Sequence, residues 1–194
     1  MFKLPNLYDS VNYTIKRCNI SLLLVFLFLF PPLQLLIIPF YLTRKNSYAQ
    51  VFKIKFKNLN SYIIVYLIII ILVVNLVSGY LLSDYPLQKN VSQLSISREI
   101  TIIQLLSVLV FAPITEEFYF RGILFKYFSE RNGKLFILIL TSLLFSIIHL
   151  NVTAAPTLFI LGFSLGLVKL ITDNILSSII MHSLFNCIML LMIL

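Results

Sequence analysis

The sequence predicts an all-α protein, a polytopic transmembrane helix bundle with about six membrane segments, and three observations support this prediction. Of the 194 residues, 60% are hydrophobic and only 11% are charged, and the mean hydropathy is +1.00. A soluble domain is about half apolar and about a quarter charged, so this chain could not cover its surface in water. The apolar residues also come in long runs, whose backbone groups must be hydrogen-bonded within helices if they lie in lipid.

Six apolar runs predict six helices, at about residues 19–42, 62–82, 100–128, 134–150, 156–171 and 174–194. A crossing helix needs about 17–25 apolar residues, so most of these runs are long enough to span a membrane. The first run contains Pro31 and Pro32, and it is either a kinked crossing or a re-entrant hairpin. It does not end in a signal-peptidase site and is expected to remain as an anchor.

The basic residues predict contact with a lipid surface rather than with nucleic acid. There are 15 Lys and Arg against 7 Asp and Glu, a net charge of +8. Five of the basic residues lie in one loop between the first two runs: Arg44, Lys45, Lys53, Lys55 and Lys57. The positive-inside rule and the attraction of anionic lipids explain such a loop. Basic residues also precede the first run, so the membrane orientation stays open.

A polar stretch at 83–99 divides the chain into two parts. Residues 1–97 are predicted to hold the N-terminal membrane anchor segments and the basic loop, and residues 98–194 the helical core. Cys18 and Cys187 are far apart and show no ligand spacing, so we expect ordinary apolar residues rather than a disulfide or a metal pair.

Two adjacent carboxylates and an arginine interrupt the third run, in the sequence APITEEFYFRG. Glu117 and Arg121 are four residues apart, so they lie on one helix face, where a carboxylate pairs with a guanidinium. Glu116 points about 100° away and is left to face another partner. Taken alone, this pattern is more often an ordinary interfacial salt bridge.

The two histidines of the sequence both fall in apolar runs, His149 in the fourth run and His182 in the last. One such histidine is more often a packing residue, but two of two indicate function, because ionisable groups in a membrane are costly and usually face a bundle interior or a cavity. Asn186 lies four residues after His182 and shares its helix face. The sequence therefore predicts a polar pocket that contains Glu116, His149, His182 and Asn186.

Four motifs in this part of the chain resemble those of one membrane protein family. They are E-E-x-x-x-R (Glu116, Glu117, Arg121), F-x-x-x-H (Phe145, His149), F-x-x-G-x-x-x-G (Phe159, Gly162, Gly166) and H-x-x-x-N (His182, Asn186). Over about residues 98–194 the chain resembles the CPBP intramembrane proteases, the CAAX prenyl protease and bacteriocin-processing (Abi) group. No motif position departs from the pattern. The N-terminal half matches only as additional membrane anchor.

The resemblance implies a four-helix catalytic core that hydrolyses a peptide bond in a membrane-associated peptide or protein. By this resemblance, Glu116 and His149 activate the attacking water. His182 and Asn186 stabilise the oxyanion. The supporting residues, which set the local charge or pack the site, are Glu117, Arg121 and Phe145.

Metal dependence stays open within this resemblance. Glu116, His149 and His182 are the side chains that a two-histidine, one-carboxylate zinc site would use. A glutamate that ligates zinc cannot also serve freely as the base, and the sequence contains no H-E-x-x-H motif, so a reaction without a cofactor is the favoured hypothesis. The expected partners are the substrate and the lipid bilayer, in the plasma membrane of a bacterium. The oligomeric state stays open.

Two other classes of function fit the same residues. One is a non-catalytic bacteriocin self-immunity or scaffold protein of the same fold. The other is a proton-coupled transporter, because buried glutamate and histidine also form proton relays. The short chain without a paired inverted repeat argues against a transporter.

Overall fold

The computed structural model describes residues 60–83, 100–129 and 132–193. Within these ranges the secondary structure is helical and contains no strand, which confirms the predicted all-α membrane fold. The helices are α1 (Ser61–Leu81), α2 (Ile102–Ser129), α3 (Lys134–Ile148), α4 (Ala155–Thr172) and α5 (Ile175–Ile193).

Four of these helices, α1, α2, α4 and α5, are long and apolar enough to cross a membrane. Helix α3 has 15 residues, and at 1.5 Å per residue it is about 22 Å long, less than the roughly 30 Å of a hydrocarbon core. The predicted total of about six segments is not confirmed. The run at 19–42 with Pro31 and Pro32, the basic loop, Cys18 and the domain boundary after residue 97 lie outside the described residues.

Short connections make α2 to α5 antiparallel neighbours: residues 130–133 join α2 to α3, 149–154 join α3 to α4, and 173–174 join α4 to α5. A hydrogen bond of 3.1 Å orients α1 against this group. It joins Ser78 Oγ, near the end of α1, to Thr157 Oγ1 in the first turn of α4. Helix α1 therefore begins at the end of the bundle where α4 ends.

The two ends of the bundle differ in charge. We call one of them the lysine end, because Lys126, Lys134 and Lys169 lie where α2 and α4 end and α3 begins. The opposite end contains the α3–α4 turn, and the described residues there include no lysine or arginine. Lys169 Nζ lies 4.6 Å from the centroid of the Phe125 ring, a cation–π contact at the edge of the apolar layer.

Two glycines of α4 let it pack closely against α3. A Cβ atom on Gly162 would lie 3.1 Å from Ser142 Cα, and one on Gly166 would lie 2.7 Å from Leu138 Cδ2. The first of these contacts is with backbone, which cannot move aside without displacing the helix. The G-x-x-x-G spacing thus brings the two helices together, as small residues do at membrane helix interfaces.

Helix α2 is continuous but departs from the regular period that its sequence predicts. Turns of π-helix lie at Ser107–Phe111 and Phe118–Leu124, on either side of Ala112–Glu117. The N–H of Ala112 donates to Ser107 O, and Pro113 has no N–H to donate. The Val108 carbonyl therefore lacks its usual helical donors and needs a side-chain partner. Such π-turns occur often at functional sites.

We expect Gly162→Ala to lower the free energy of unfolding by about 1–3 kcal/mol, because the added methyl group overpacks the α3–α4 contact. Thermal unfolding of the purified protein in detergent measures this. Gly79→Ala is the matched control, since nothing lies within 4 Å of a Cβ at that position of α1. Equal unfolding temperatures for the two variants would contradict the close contact.

Candidate active site

A buried ion pair lies at the centre of the site. Arg121 Nη1 donates to Glu117 Oε1 at 2.8 Å, and both side chains are 0% exposed. The pairing that the four-residue spacing predicts is therefore formed. Arg121 Nη2 also donates to the carbonyl oxygen of Gly162 at 2.7 Å. One guanidinium thus neutralises a carboxylate of its own helix and binds the backbone of α4.

His182 of α5 joins the same carboxylate. Its Nδ1 lies 3.1 Å from Glu117 Oε1, so this oxygen is shared between the guanidinium and the imidazole. The other ring nitrogen, Nε2, lies 3.9 Å from Glu116 Oε2. Since an ionised carboxylate only accepts hydrogen bonds, Nδ1 is the protonated donor toward Glu117. His182 is therefore fixed in orientation, with Nε2 directed at Glu116.

Glu116 differs from its neighbour Glu117 in both exposure and partners. Its side chain is 26% exposed, against 0% for Glu117. Its Oε2 atom is nevertheless buried and has no hydrogen-bond partner among the described residues. A buried carboxylate oxygen without a partner is costly, so this atom is one that a small polar ligand would stabilise.

His149 is placed at a helix end rather than inside a helix, which corrects the sequence interpretation. Helix α3 ends at Ile148 and His149 is its C-cap, and the next residue, Leu150, has the left-handed value φ 49°. Nδ1 of His149 lies 2.7 Å from the Phe145 carbonyl oxygen. Because a carbonyl only accepts, the proton is on Nδ1, and Nε2 of a neutral ring is an acceptor.

Phe145 connects the two histidines and the arginine. Its ring centroid lies 4.8 Å from that of His149 and 5.7 Å from that of His182. The guanidinium carbon of Arg121 lies 4.9 Å from the same centroid. The side chain is 0% exposed. Phe145 therefore packs against both imidazoles and covers the cation, a wider contact than the packing against His149 that its motif implies.

Asn186 contacts the irregular part of α2. Its Nδ2 donates to the Val108 carbonyl oxygen at 2.9 Å, which satisfies the acceptor left by the π-turn and Pro113. The side chain thus ties α5 to α2 about two helical turns before Glu116. The amide group carries two N–H donors, and this bond uses one of them.

The structure brings most of the predicted residues together. Contacts of 3.9 Å or less link four of these side chains: Glu116, Glu117, Arg121 and His182. The His149 ring packs against the Phe145 ring, which also packs against His182. Within the described ranges no three His, Cys, Asp or Glu side chains are arranged to hold a metal ion. The zinc alternative of Glu116, His149 and His182 stays a hypothesis.

Three features of the site were not predicted from the sequence. They are the sharing of Glu117 with His182, the Gly162 carbonyl that receives Arg121, and the Val108 carbonyl that receives Asn186. The last two acceptors are backbone atoms, which no residue type marks. Pro113 is the one available signal for Val108, because a proline inside a helix frees an upstream carbonyl.

The fold and the site together define a polytopic helical membrane protein with ionisable side chains gathered inside the bundle, as in an intramembrane enzyme. Residues 98–188 match a family model described as type II CAAX prenyl endopeptidase Rce1-like. This domain matches the CPBP/CAAX protease family, which supports intramembrane endopeptidase activity at the level of the family. Comparisons with curated proteins and with solved structures gave no match.

We expect Glu117→Gln and Arg121→Met each to destabilise the protein by about 3–5 kcal/mol, because each leaves a buried charge without its partner. The double variant should lose less unfolding free energy than the sum of the losses in the two single variants. A double-mutant cycle measures this difference. Lys134→Met, at an exposed position, is the charge-removal control and should change stability little. If the loss of unfolding free energy in the double variant equals the sum of the two single losses, the two side chains are not coupled.

Proposed function

We propose that the protein is an intramembrane endopeptidase in which Glu116 activates water for attack on a peptide bond of a membrane-associated peptide or protein. One observation supports this most directly: the unpartnered Glu116 Oε2 lies 3.9 Å from Nε2 of His182, on another helix. That distance is too long for a direct hydrogen bond. A water molecule beside the line between the two atoms can bond to both.

The charges of the cluster favour Glu116 as the base over Glu117. Glu117 Oε1 already accepts from Arg121 and His182, and its side chain is 0% exposed. Each carboxylate has one buried oxygen without a partner, but the Glu116 side chain is 26% exposed. A general base must come within hydrogen-bond reach of the proton that it takes, and only the partly exposed carboxylate meets this condition.

In this mechanism His149 orients the attacking water. Its Nδ1–H is directed at the Phe145 carbonyl, so its Nε2 lone pair is available to accept a hydrogen bond from the water. Phe145 holds the His149 and His182 rings against its own ring. The water is then oriented by an imidazole while the Glu116 carboxylate removes its proton.

His182 and Asn186 act as the oxyanion donors. With a proton on each ring nitrogen, His182 donates from Nδ1 to Glu117 and has Nε2–H as a second donor. The Nε2–H then donates to the developing oxyanion. The second amide N–H of Asn186, beyond the one bound to Val108, supplies another donor.

The bond changes balance without a cofactor. Glu116 takes a proton from water while the water oxygen bonds to the carbonyl carbon, and the C=O π electrons move onto the oxygen. When the tetrahedral intermediate collapses, the C=O double bond re-forms and the C–N bond breaks. Glu116 returns its proton to the leaving nitrogen, so one water yields a carboxylic acid and an amine.

We expect Glu116→Gln to lower peptide hydrolysis by about 10²–10⁴-fold, because the amide cannot take a proton from water. A quenched fluorescent peptide library, incubated with purified protein in detergent, measures the rate. The substitution preserves shape, so the unfolding temperature should stay close to that of the wild type.

Asp173→Asn is the control for that measurement, since Asp173 is exposed and follows α4 at the lysine end. Its hydrolysis rate should match the wild type, and a chelator should leave that rate unchanged. Cleavage that survives in Glu116→Gln would exclude Glu116 as the base, whereas an absence of cleavage by the wild type would favour the non-catalytic immunity role. Loss of cleavage with chelator and its return with zinc would contradict the metal-free mechanism.

We expect Asn186→Leu to lower kcat by about 10²–10³-fold with little change in KM, because an oxyanion donor acts mainly in the transition state. Steady-state kinetics on a peptide cleaved by the wild type separates the two parameters. If the amide serves only to bind Val108, the variant will show a lower unfolding temperature with an unchanged kcat.

A further inference from the structure

We infer that Asn75, Ser78 and Thr157, which lie outside the ionisable cluster, are positioning residues for His149. Asn75 and Ser78 belong to α1, and Thr157 lies in the first turn of α4. Their hydrogen bonds hold α1 against the end of α4 that follows the turn 149–154. The role of His149 rests on the proposed function, whereas the link between the helices rests on the contacts alone.

The three side chains form one hydrogen-bonded network between α1 and α4. Thr157 Oγ1 donates to Asn75 Oδ1 at 3.3 Å. A hydroxyl has one proton, so Ser78 is then the donor between the two hydroxyls. The Ser78 proton is shared between Thr157 Oγ1, at 3.1 Å, and the Asn75 carbonyl oxygen, at 3.2 Å. Such side chains hydrogen-bond across membrane helices, so the network fixes the first turn of α4 against α1.

The first turn of α4 is tied in the same way to the last turn of α3. Ser146 Oγ of α3 donates to the carbonyl oxygen of Ala155, the first residue of α4, at 2.8 Å. Within the connection, the N–H of Ala154 donates to Asn151 Oδ1 at 3.1 Å. His149 lies between these ties as the C-cap of α3. A displacement of α4 relative to α1 is therefore transmitted to the helix end that carries His149.

The backbone directly after His149 is strained and depends on these ties. Leu150 has φ 49°, a left-handed value that is unfavourable for a residue with a Cβ atom. Its side chain is 86% exposed, so packing of that side chain does not compensate. Strained backbone persists only where the surrounding structure holds it in place. The hydrogen bonds from α3 to α4 and from α4 to α1 supply that hold.

The ring of His149 takes its position from the last turn of α3. Its Nδ1 lies 2.7 Å from the Phe145 carbonyl oxygen, and its ring packs against the Phe145 ring at 4.8 Å. Glu116 lies on α2, and His182 is held by Glu117 of the same helix. The placement of α3 therefore sets the distance from His149 to Glu116. A small displacement of this kind is enough to misalign a water molecule between them.

The network thus gives α1 a part in the reaction. The sequence predicts only membrane anchoring for the part of the chain that contains this helix. In the structure, two of its polar side chains act through Thr157 and the α3–α4 turn on the imidazole that orients the water. Asn75, Ser78 and Thr157 do not touch the reacting atoms in this account. We expect them to affect the rate of the reaction rather than the binding of the substrate.

Thr157→Val tests the inference, because it keeps the shape of the side chain and removes the hydroxyl that two residues of α1 share. For a peptide that the wild type cleaves, we expect kcat to fall about 10–10²-fold with little change in KM. Thr157→Ser keeps the hydroxyl and should restore most of kcat. Ser78→Ala should act in the same direction and replaces Thr157→Val if that variant does not fold.

Thr172→Val is the matched control. Thr172 is also a buried threonine of α4, at the lysine end, and its hydroxyl donates to the Val168 carbonyl oxygen of the same helix at 2.8 Å. This variant should lose some stability and keep the kcat of the wild type. If kcat falls equally in Thr172→Val and Thr157→Val, the effect is general destabilisation and the inference fails.

A second measurement does not depend on activity. The sequence contains only two histidines, so ¹⁵N-labelled histidine gives signals of His149 and His182 alone, which His149→Gln assigns. The ¹⁵N shifts show which ring nitrogen carries the proton. In the wild type we expect one His149 tautomer, with the proton on Nδ1. In Thr157→Val this single tautomer should be lost while the His182 signals stay in place, and Thr172→Val should change neither.

The two measurements separate this inference from the proposed function. Unchanged His149 signals in Thr157→Val would overturn the inference, whatever happens to kcat, while the endopeptidase function stands. A changed His149 signal with a normal kcat would also overturn it, because the displaced ring would then have no role in the reaction. If the wild type cleaves no peptide, the proposed function fails, and with it the positioning role in catalysis; the signals then report only on the link between the helices.

Discussion

The ion pair between Arg121 and Glu117 is the interaction on which the rest of the site depends. Each charge alone would be costly inside a membrane, and the pair lowers that cost only because both groups find further hydrogen bonds. Arg121 uses a second nitrogen on the Gly162 carbonyl, and Glu117 shares its oxygen with His182. One pair of side chains from α2 thereby positions α4 and α5. Glu116, outside this pair, is the partly exposed carboxylate of the site and has an unpartnered oxygen.

Two further residues, Gly162 and Phe145, contribute both to helix packing and to the arrangement of the ionisable side chains. Gly162 has no side chain to keep α3 away from α4, and the same residue supplies the carbonyl that receives Arg121. Phe145 fills the space between the histidines and covers the guanidinium. A substitution at either position therefore changes both the helix contact and the orientation of the site. This coupling explains why small and aromatic residues occur beside the ionisable ones in the motifs.

The features predicted correctly from the sequence depend on helical periodicity and on the cost of charge in lipid. In the part of the chain that the structure describes, the apolar runs identified the helices, and the four-residue spacing identified the Glu117–Arg121 pair. The sequence could not predict contacts to backbone oxygens, because Gly162 and Val108 carry no side-chain signal for them. The predicted helix at 134–150 also included His149, because neither a glycine nor a proline marks the end of α3 in the sequence. The left-handed conformation at Leu150 ends that helix in the structure.

In the proposed mechanism Glu116 is a base that acts on water rather than a nucleophile that bonds to the substrate. A single-turnover reaction in ¹⁸O-labelled water, with enzyme in excess over a cleaved peptide, distinguishes these roles by mass spectrometry of the new carboxylate. Direct attack by water places the label in the product during that first turnover. An unlabelled first product, with ¹⁸O found in the side chain of Glu116, would show an acyl-enzyme and contradict the mechanism.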